Sequence, residues 1–276
     1  MTGDRGLLAR IEAAAVRAWP ALETADIGGW LWRFSDGGFQ RANSVSALAF
    51  HGDDVEAVIE EAERRYRARQ APIQFQVTDV SAPPHLDARL AARGYRVHDP
   101  CDTLTRPVAP DAVELACVTL AADPTAEWFA LYTSVITADR RSAAPRILEK
   151  VPHPRAFALT YRADRPISTA LGVADGDLCA IECVATADDA RRQGGAAQAL
   201  AAVESWAGRI GCRWLYLQTG LTNTPAITLY RRLGFVEVAA APSSMVEICL
   251  GDVVIRAGAD VGHDHLARII RAVRQA

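Results

Sequence analysis

Long apolar segments are missing from this chain of 276 residues. No segment reaches the roughly 18 apolar residues that a membrane-spanning helix needs, so no membrane partner is expected. The N-terminal segment carries acidic residues and an apolar stripe (Leu8, Ile11, Ala15), which predicts a helix over residues 5–18 rather than a signal peptide. We therefore expect a cytoplasmic protein.

Paired cysteines and a large excess of one charge are also missing. The six cysteines form no C-x-x-C motif, so they are expected to be free thiols. His263 and His265 are expected to be polar surface rather than ligands, and no metal is expected. The net charge of −3 excludes a general attraction to nucleic acid. The chain is long enough for two domains.

The glycine motifs of nucleotide-binding proteins are absent, but two adjacent glycines occur in "ARRQGGAAQAL", residues 190–200. They follow a predicted strand over 178–186 and open a predicted helix over 194–209. Unpaired N–H groups at a helix start bind oxygen anions, and glycine lets such an anion come close. Because neither G-x-x-x-x-G-K-[ST] nor G-x-G-x-x-G is present, the pattern favours a pyrophosphate other than that of ATP or NAD.

Two halves of the chain repeat each other. A shift of 140 positions places residues 54–78 on 194–218, and "LAARGY" (90–95) on "YRRLGF" (230–235). The proline-containing stretch 99–112 lies between the halves and shows no periodicity. We predict a domain over 1–105, a linker over 106–112, a second domain over 113–257 and a C-terminal helix over 258–276, which packs on its own protein or docks on a partner.

The glycine segment resembles a known family. Arg191-x-x-Gly194-x-Ala196 matches the R/Q-x-x-G-x-G/A motif of the GCN5-related N-acetyltransferase (GNAT) superfamily. Asn223, Ala226, Tyr230 and "RRLGF" resemble its second motif. The resemblance covers about residues 113–250. It implies an α/β (α+β) fold of tandem GNAT-like domains, each with a mixed, mostly antiparallel sheet flanked by helices, and acetyl-CoA as co-substrate.

The resemblance also implies which residues bind acetyl-CoA. Backbone amides of the glycine loop would hold its pyrophosphate, and a free N–H near Val184 or Ala185 would hold the thioester oxygen. Asn223 would contact the pantetheine, or cap the helix over 224–233, or do both. The complete predicted set is Val184, Ala185, Thr186, Arg191, Arg192, Gln193, Gly194, Gly195, Ala196, Ala197, Asn223, Ala226 and Tyr230.

Two residues are candidates for proton transfer. Tyr230 matches the family's acid beside the departing sulfur, although a tyrosine packed in the core is the alternative. Glu182 lies on the strand over 178–186 between apolar neighbours, and burial there would make it a better base. A structural or solvent-facing glutamate is the alternative for Glu182.

The acceptor site is less well defined by the sequence. Trp128 and Tyr132 would line it or form a helix packing stripe, and Arg140 and Arg141 would meet a carboxylate or form a solvated turn. Glu182 and Gln218 complete the candidates. Arg41 and Asn43 of "RANSV" would support a pocket wall between the halves or join strands within one half.

The predicted activity is direct transfer of an acetyl group to the primary amine of a small molecule, such as an amino acid, a metabolite or an antibiotic. Protein acetylation is a variant, and a non-catalytic acyl-CoA sensor or partner-binding module is the alternative. A monomer or a homodimer is compatible with the sequence.

The first half is predicted to bind no acetyl-CoA. The 140-residue shift places His51, Asp54 and Glu56 on Arg191, Gly194 and Ala196. Acidic residues at a helix start satisfy its N–H groups and repel phosphate. The first half is therefore expected to be a scaffold.

Overall fold

The protein is described by a computed structural model that covers residues 5–109 and 115–238, the backbone of two strands over 245–250 and 253–258, and residues 268 and 271–273. His263 and His265, which are expected to be polar surface, and most of the predicted C-terminal helix lie outside the described residues. Residues 268 and 271–273 are helical, whereas 253–258 is a strand.

The first half contains three helices around a small sheet. Its elements are α1 (Arg5–Ala18), β1 (Glu23–Ile27), β2 (Trp30–Phe34), β3 (Val45–Ser46), α2 (Val55–Ala68), β4 (Phe75–Gln76), α3 (Leu86–Ala92) and β5 (Cys101–Pro107). The sheet has the order β1-β2-β3-β4, in which only the β3–β4 pair is parallel. Arg41 and Asn43 of "RANSV" lie outside the strands, because Gln40–Asn43 form a 3₁₀ turn before β3.

The second half contains a larger sheet flanked by helices. Its elements are β6 (Val118–Ala121), α4 (Ala126–Val135), α5 (Ala138–Arg141), α6 (Ala144–Lys150), β7 (Arg155–Arg162), β8 (Arg165–Asp175), β9 (Leu178–Thr186), α7 (Gly195–Arg209), β10 (Trp214–Gly220), α8 (Thr224–Arg232), β11 (Val236–Glu237), β12 (Met245–Leu250) and β13 (Val253–Gly258). The sheet has the order β11-β5-β10-β9-β8-β7-β6, with only β9 and β10 parallel. Strands β12 and β13 pair with each other.

The repeat predicted from the sequence is present in the fold. Helix α2 lies 140 positions before α7, and α3 corresponds to α8 in the same way. Both short helices end at a glycine with positive φ, Gly94 at 89° and Gly234 at 83°, which is the usual helix-ending conformation. In each half one parallel strand pair precedes that short helix. The two halves therefore share one order of elements, and both have mixed, mostly antiparallel sheets.

Two elements that precede the second half in sequence, β5 and α1, pack into or against the larger sheet. Residues 101–107 form β5, which pairs antiparallel with both β10 and β11 inside the larger sheet. Helix α1 also packs on this sheet, since Ile11 and Ala15 share a core with Leu171 and Ala180. Residues 101–107, which the sequence predicts to end the first domain and begin the linker, thus form a strand of the larger sheet. Cutting the chain after it would remove a strand from the second sheet.

Two further observations concern the cysteines and the lengths of the helices. The cysteines whose side chains are described, at 101, 117, 179, 183 and 212, are all free. Among the described residues, no helix is long and apolar enough to cross a membrane.

Candidate active site

The site begins where two parallel strands separate. Strands β9 and β10 pair only from Leu178 to Ala180, while β9 continues to Thr186 and β10 to Gly220. The last part of β9 therefore has an edge that β10 does not cover. This separation leaves backbone groups of Val184, Ala185 and Thr186 beside a gap.

A β-bulge re-aims β9 at this gap. Thr169 pairs with Ala185 and Leu171 with Glu182, so two residues of β9, Cys183 and Val184, face one residue of β8. Cys183 has a φ of 53°. Bulges of this kind turn a strand and free a backbone group from the ladder. A free N–H near Val184 stays a prediction, and the bulge is the feature of β9 that would supply it.

Helix α7 starts beside this edge with no side-chain cap. No acidic residue lies in its first turn, and Gly194 precedes it with a φ of 85°. A Cβ on Gly194 would meet nothing within 4 Å, whereas a Cβ on Gly195 would lie 2.6 Å from Ser168 Oγ. Gly195 is thus required for packing against β8. Gly194 places no side chain in front of the helix start, and no side chain caps its first N–H groups.

The equivalent helix of the first half, α2, is capped at its start by a side chain. The Asp54 carboxylate accepts hydrogen bonds from the N–H groups of Glu56 (2.9 Å) and Ala57 (3.4 Å). Glu56 itself lies in the first turn of α2. These side chains occupy the anion position and complement the positive end of the helix.

The charges around the α7 start are more mixed than the sequence suggests. Arg191 pairs with Asp188 at 2.6 Å, with both side chains mostly exposed. Arg162, at the end of β7, donates hydrogen bonds to the side chain and the carbonyl of Gln193 (3.1 Å to the carbonyl). Arg162 was not predicted, because no motif marks an arginine in the β7–β8 hairpin.

Glu182 is buried and bonded to the first half of the chain. Its two carboxylate oxygens accept hydrogen bonds from Arg41 Nη1 (3.0 Å) and Nη2 (2.7 Å). Its side chain is 8% exposed and that of Arg41 is 32% exposed. Each oxygen retains a lone pair, so the carboxylate is still able to accept one further donor. Of the two readings of Arg41, the one that brings the halves together agrees with this contact.

A buried polar network extends from this ion pair. Gln218 accepts from Arg41 (2.9 Å) and donates to Glu12 of α1 (2.9 Å), so both ends of its amide are occupied. Gln76 links Glu12 to Arg33 in the same way, at 3.0 and 2.9 Å. Burial raises the pKa of Glu12, against the opposing effect of these donors. Gln218 is therefore a link within the protein rather than a free ligand-binding side chain.

Tyr230 lies on α8, buried at 7% exposure, with its ring against Phe235. No described residue forms a hydrogen bond with its hydroxyl. Burial raises the pKa of Tyr230 to about 12, and the charge of Glu182 contributes. The tyrosine is therefore both a core residue and an unpaired, protonated phenol on the side of Glu182.

Asn223 caps α8. Its side-chain oxygen accepts from the N–H of Ala226 at 3.4 Å, and the side chain is exposed. The capping role foreseen as one alternative is present, while the ligand contact stays a prediction.

The four acceptor candidates on α4 and α5 do not form one pocket. Trp128 is 1% exposed and donates its indole N–H to the carbonyl of Ala170, so the packing alternative is correct for it. Tyr132 is buried with its hydroxyl at Cys183. Arg140 reaches the first half, where it donates to the Gly38 carbonyl at 3.3 Å. Arg141 donates to Ile136 of its own turn.

Asn43 acts within its own half. Its side chain bonds to the backbone of Ser35, Gly37 and Phe39. It fixes the loop that carries Arg41. The pair Asp139–Gly38 then holds this loop against α5 through a backbone hydrogen bond of 3.2 Å.

Comparison with known proteins agrees with this architecture. The model of the family described as "Probable histone acetyltransferase Rv0428c C-terminal" matches residues 8–240. The "Uncharacterized N-acetyltransferase YobR" of Bacillus subtilis (strain 168) is 29% identical over 241 residues, which are 83% of this chain and 95% of that protein.

Two solved structures share the fold. A GCN5-related N-acetyltransferase from Kribbella flavida has a TM-score of 0.63 and 21% identity, covering 86% of this chain and 94% of the other. A tandem GNAT protein from the clavulanic acid biosynthesis pathway has a TM-score of 0.56 and 14% identity, covering 82% and 84%. Since the family model spans most of its length, the chain belongs to this acetyltransferase family and is an acyltransferase of the GNAT superfamily.

Proposed function

We propose that this protein transfers the acetyl group of acetyl-CoA to the primary amine of a small molecule, by direct attack within a ternary complex. The observation that carries the proposal is the combination of an uncapped helix start at Gly194 with the uncovered edge of β9. The first offers N–H groups for a pyrophosphate, and the second offers a backbone edge for the pantetheine.

The adenine-nucleotide end would be held by the loop before α7. The N–H groups of Gly195, Ala196 and Ala197 receive the pyrophosphate, while Arg191, Arg192 and Gln193 line its mouth. Arg162 adds a cation through its contact with Gln193. Asn223 and Ala226 would flank the pantetheine from the start of α8.

The reaction forms one C–N bond and breaks one C–S bond. The amine nitrogen attacks the thioester carbonyl, whose oxygen takes negative charge that a backbone N–H at the β9 bulge stabilises. Glu182 accepts the proton that the amine loses, directly or through water. The departing thiolate takes the proton of Tyr230, whose hydroxyl has no other described partner.

Release of free CoA in the presence of amines is the experiment that tests this proposal. The protein is incubated with acetyl-CoA and a panel of amino acids, aminoglycosides, polyamines and a lysine peptide, and thiol release is followed. Amine-dependent release that forms an acetylated amine by mass spectrometry is expected. Tight acetyl-CoA binding with no release for any amine would instead support an acyl-CoA sensor.

A further inference from the structure

One edge of the Arg41 guanidinium has no partner. A guanidinium carries five N–H donors in a planar fork. Three of them point to Glu182 and Gln218, at 2.7–3.0 Å. The remaining two, the Nε–H and the second Nη2–H, share the opposite edge, and no described residue accepts from them.

This edge is fixed in place and partly open. Glu182 holds the other edge bidentately, and Gln218 is itself oriented by Glu12 and by Thr103 (3.2 Å). The Arg41 side chain keeps 32% of its surface exposed. A fork that is already ordered loses little rotamer freedom when it binds a second planar anion.

Other donors around Glu182 also lack acceptors. The Tyr216 hydroxyl is buried without a hydrogen-bond partner among the described residues. Tyr216 lies two residues before Gln218 on β10, so both side chains are on the same face of the sheet, and Gln218 bonds to Arg41. Burial raises the pKa of Tyr216, and the charge of Glu182 acts in the same direction. The Tyr230 hydroxyl is unpaired as well. The free donors, which are two hydroxyls and two Arg41 N–H groups, outnumber the lone pairs that the Glu182 oxygens retain, so an acceptor-rich group would restore the balance.

The charges fit a zwitterion better than a polycation. Arg33 and Arg41 face Glu12 and Glu182 across the same network, so the four formal charges cancel. A molecule with one carboxylate and one ammonium adds no net charge to this buried region. A polyamine would need free carboxylates, and Glu182 is already paired.

We infer that Arg41 is a specificity-determining residue that binds the carboxylate of the acceptor on its free Nε–Nη2 edge, and that the acceptor is an amine that also carries a carboxylate, of the amino-acid type. This inference rests on the proposed function and narrows its substrate class. The first half then supplies one residue to the site of the second half.

The test compares matched acceptors with the full-length protein. Each of the common L-amino acids is paired with its carboxamide, and kcat/KM is measured for both, with spermidine and an aminoglycoside as carboxylate-free amines. For the best pair we expect the acid to exceed the amide at least tenfold, since a bidentate charge-assisted contact is lost in the amide. Arg41→Lys, which keeps the charge but not the fork, should reduce the ratio to within about threefold of one, mainly through the KM of the acid.

Two controls separate the outcomes. Arg17→Lys changes an exposed arginine of α1 that pairs with Asp175 (2.6 Å), and should leave the acid-to-amide ratio unchanged. Acetyl-CoA affinity by calorimetry should be the same in Arg41→Lys and wild type, which shows that the variant is folded. An acid-to-amide ratio below threefold in the wild type, turnover of only carboxylate-free amines or lysine peptides, or an unchanged ratio in Arg41→Lys overturns the inference alone. Failure of every amine to release CoA overturns the proposed function and the inference with it.

Discussion

At the scale of single residues, the site is defined by polar groups with and without partners. Glu182 is bonded at both oxygens, whereas Tyr230 and one edge of Arg41 are unpaired among the described residues. A buried phenol with a pKa of about 12 stays protonated through neutral pH. This suits a proton donor, since the thiolate that leaves needs a proton and the phenol has no competing acceptor.

Tyr230→Phe removes this proton donor and keeps the ring against Phe235. We expect kcat to fall by about 10²-fold or more, in the range of general acid catalysis, with acetyl-CoA affinity changed less than twofold. Steady-state kinetics and calorimetry check the two parts. Tyr161→Phe is the matched control, because the Tyr161 hydroxyl bonds to Glu127 on the exposed surface (2.8 Å). If both variants keep the wild-type rate, Tyr230 is only a core residue.

Glu182→Gln tests the base. Glutamine retains an oxygen for Arg41 but takes up protons poorly, so kcat should fall about 10²-fold at pH 7. Raising the pH should narrow the difference from wild type, because more of the amine is then already deprotonated. The pH profile of kcat/KM measures this. A deficit of the same size at every pH would assign Glu182 to positioning Arg41 instead.

At the scale of elements, two helices with the same place in the repeat start differently. Helix α2 begins with Asp54 bonded to its own N–H groups, while α7 begins with Gly194 and no cap. Anions bind helix starts only where these N–H groups are unoccupied. The difference explains why one half is expected to bind acetyl-CoA and the other is not.

Gly194→Asp and Gly194→Asn form a matched pair at this helix start. Both side chains have nearly the same shape, both tolerate a positive φ comparatively well, and no described atom lies within 4 Å of the added Cβ. The aspartate adds a charge where the pyrophosphate is expected, so its Kd for acetyl-CoA should rise well beyond tenfold. The asparagine should weaken binding much less. Equal affinities in the two variants would place the phosphates elsewhere.

At the scale of the whole molecule, the repeat could be predicted from the sequence, but the contacts between its two halves could not. Glycines and helix periodicity are local signals. They predicted α7 and α8, and also α2 and α3, which correspond to them in the first half. The position of β5 depends on pairing with β10, about 110 positions away, and no local pattern encodes this. The same holds for the Arg41–Glu182 pair, which joins residues 141 positions apart. Trp128 was ambiguous for the opposite reason, because an aromatic stripe fits both a core and a pocket.

The first half contributes residues to the structure of the second half. Helix α1 covers one face of the larger sheet and supplies Glu12, while the loop over 35–44 supplies Arg41. The first half thus reaches the candidate active site through α1 and through this loop.

The stoichiometry of acetyl-CoA binding tests the central claim most directly, namely that the α7 start is an anion site and the α2 start is not. The full-length protein is titrated with acetyl-CoA in a calorimeter, and the number bound is checked by native mass spectrometry. One equivalent per chain is predicted, lost in Gly194→Asp and retained in Asp54→Asn, which leaves the α2 cap in place. Two equivalents in the wild type, or one equivalent that Gly194→Asp leaves intact, would contradict the account.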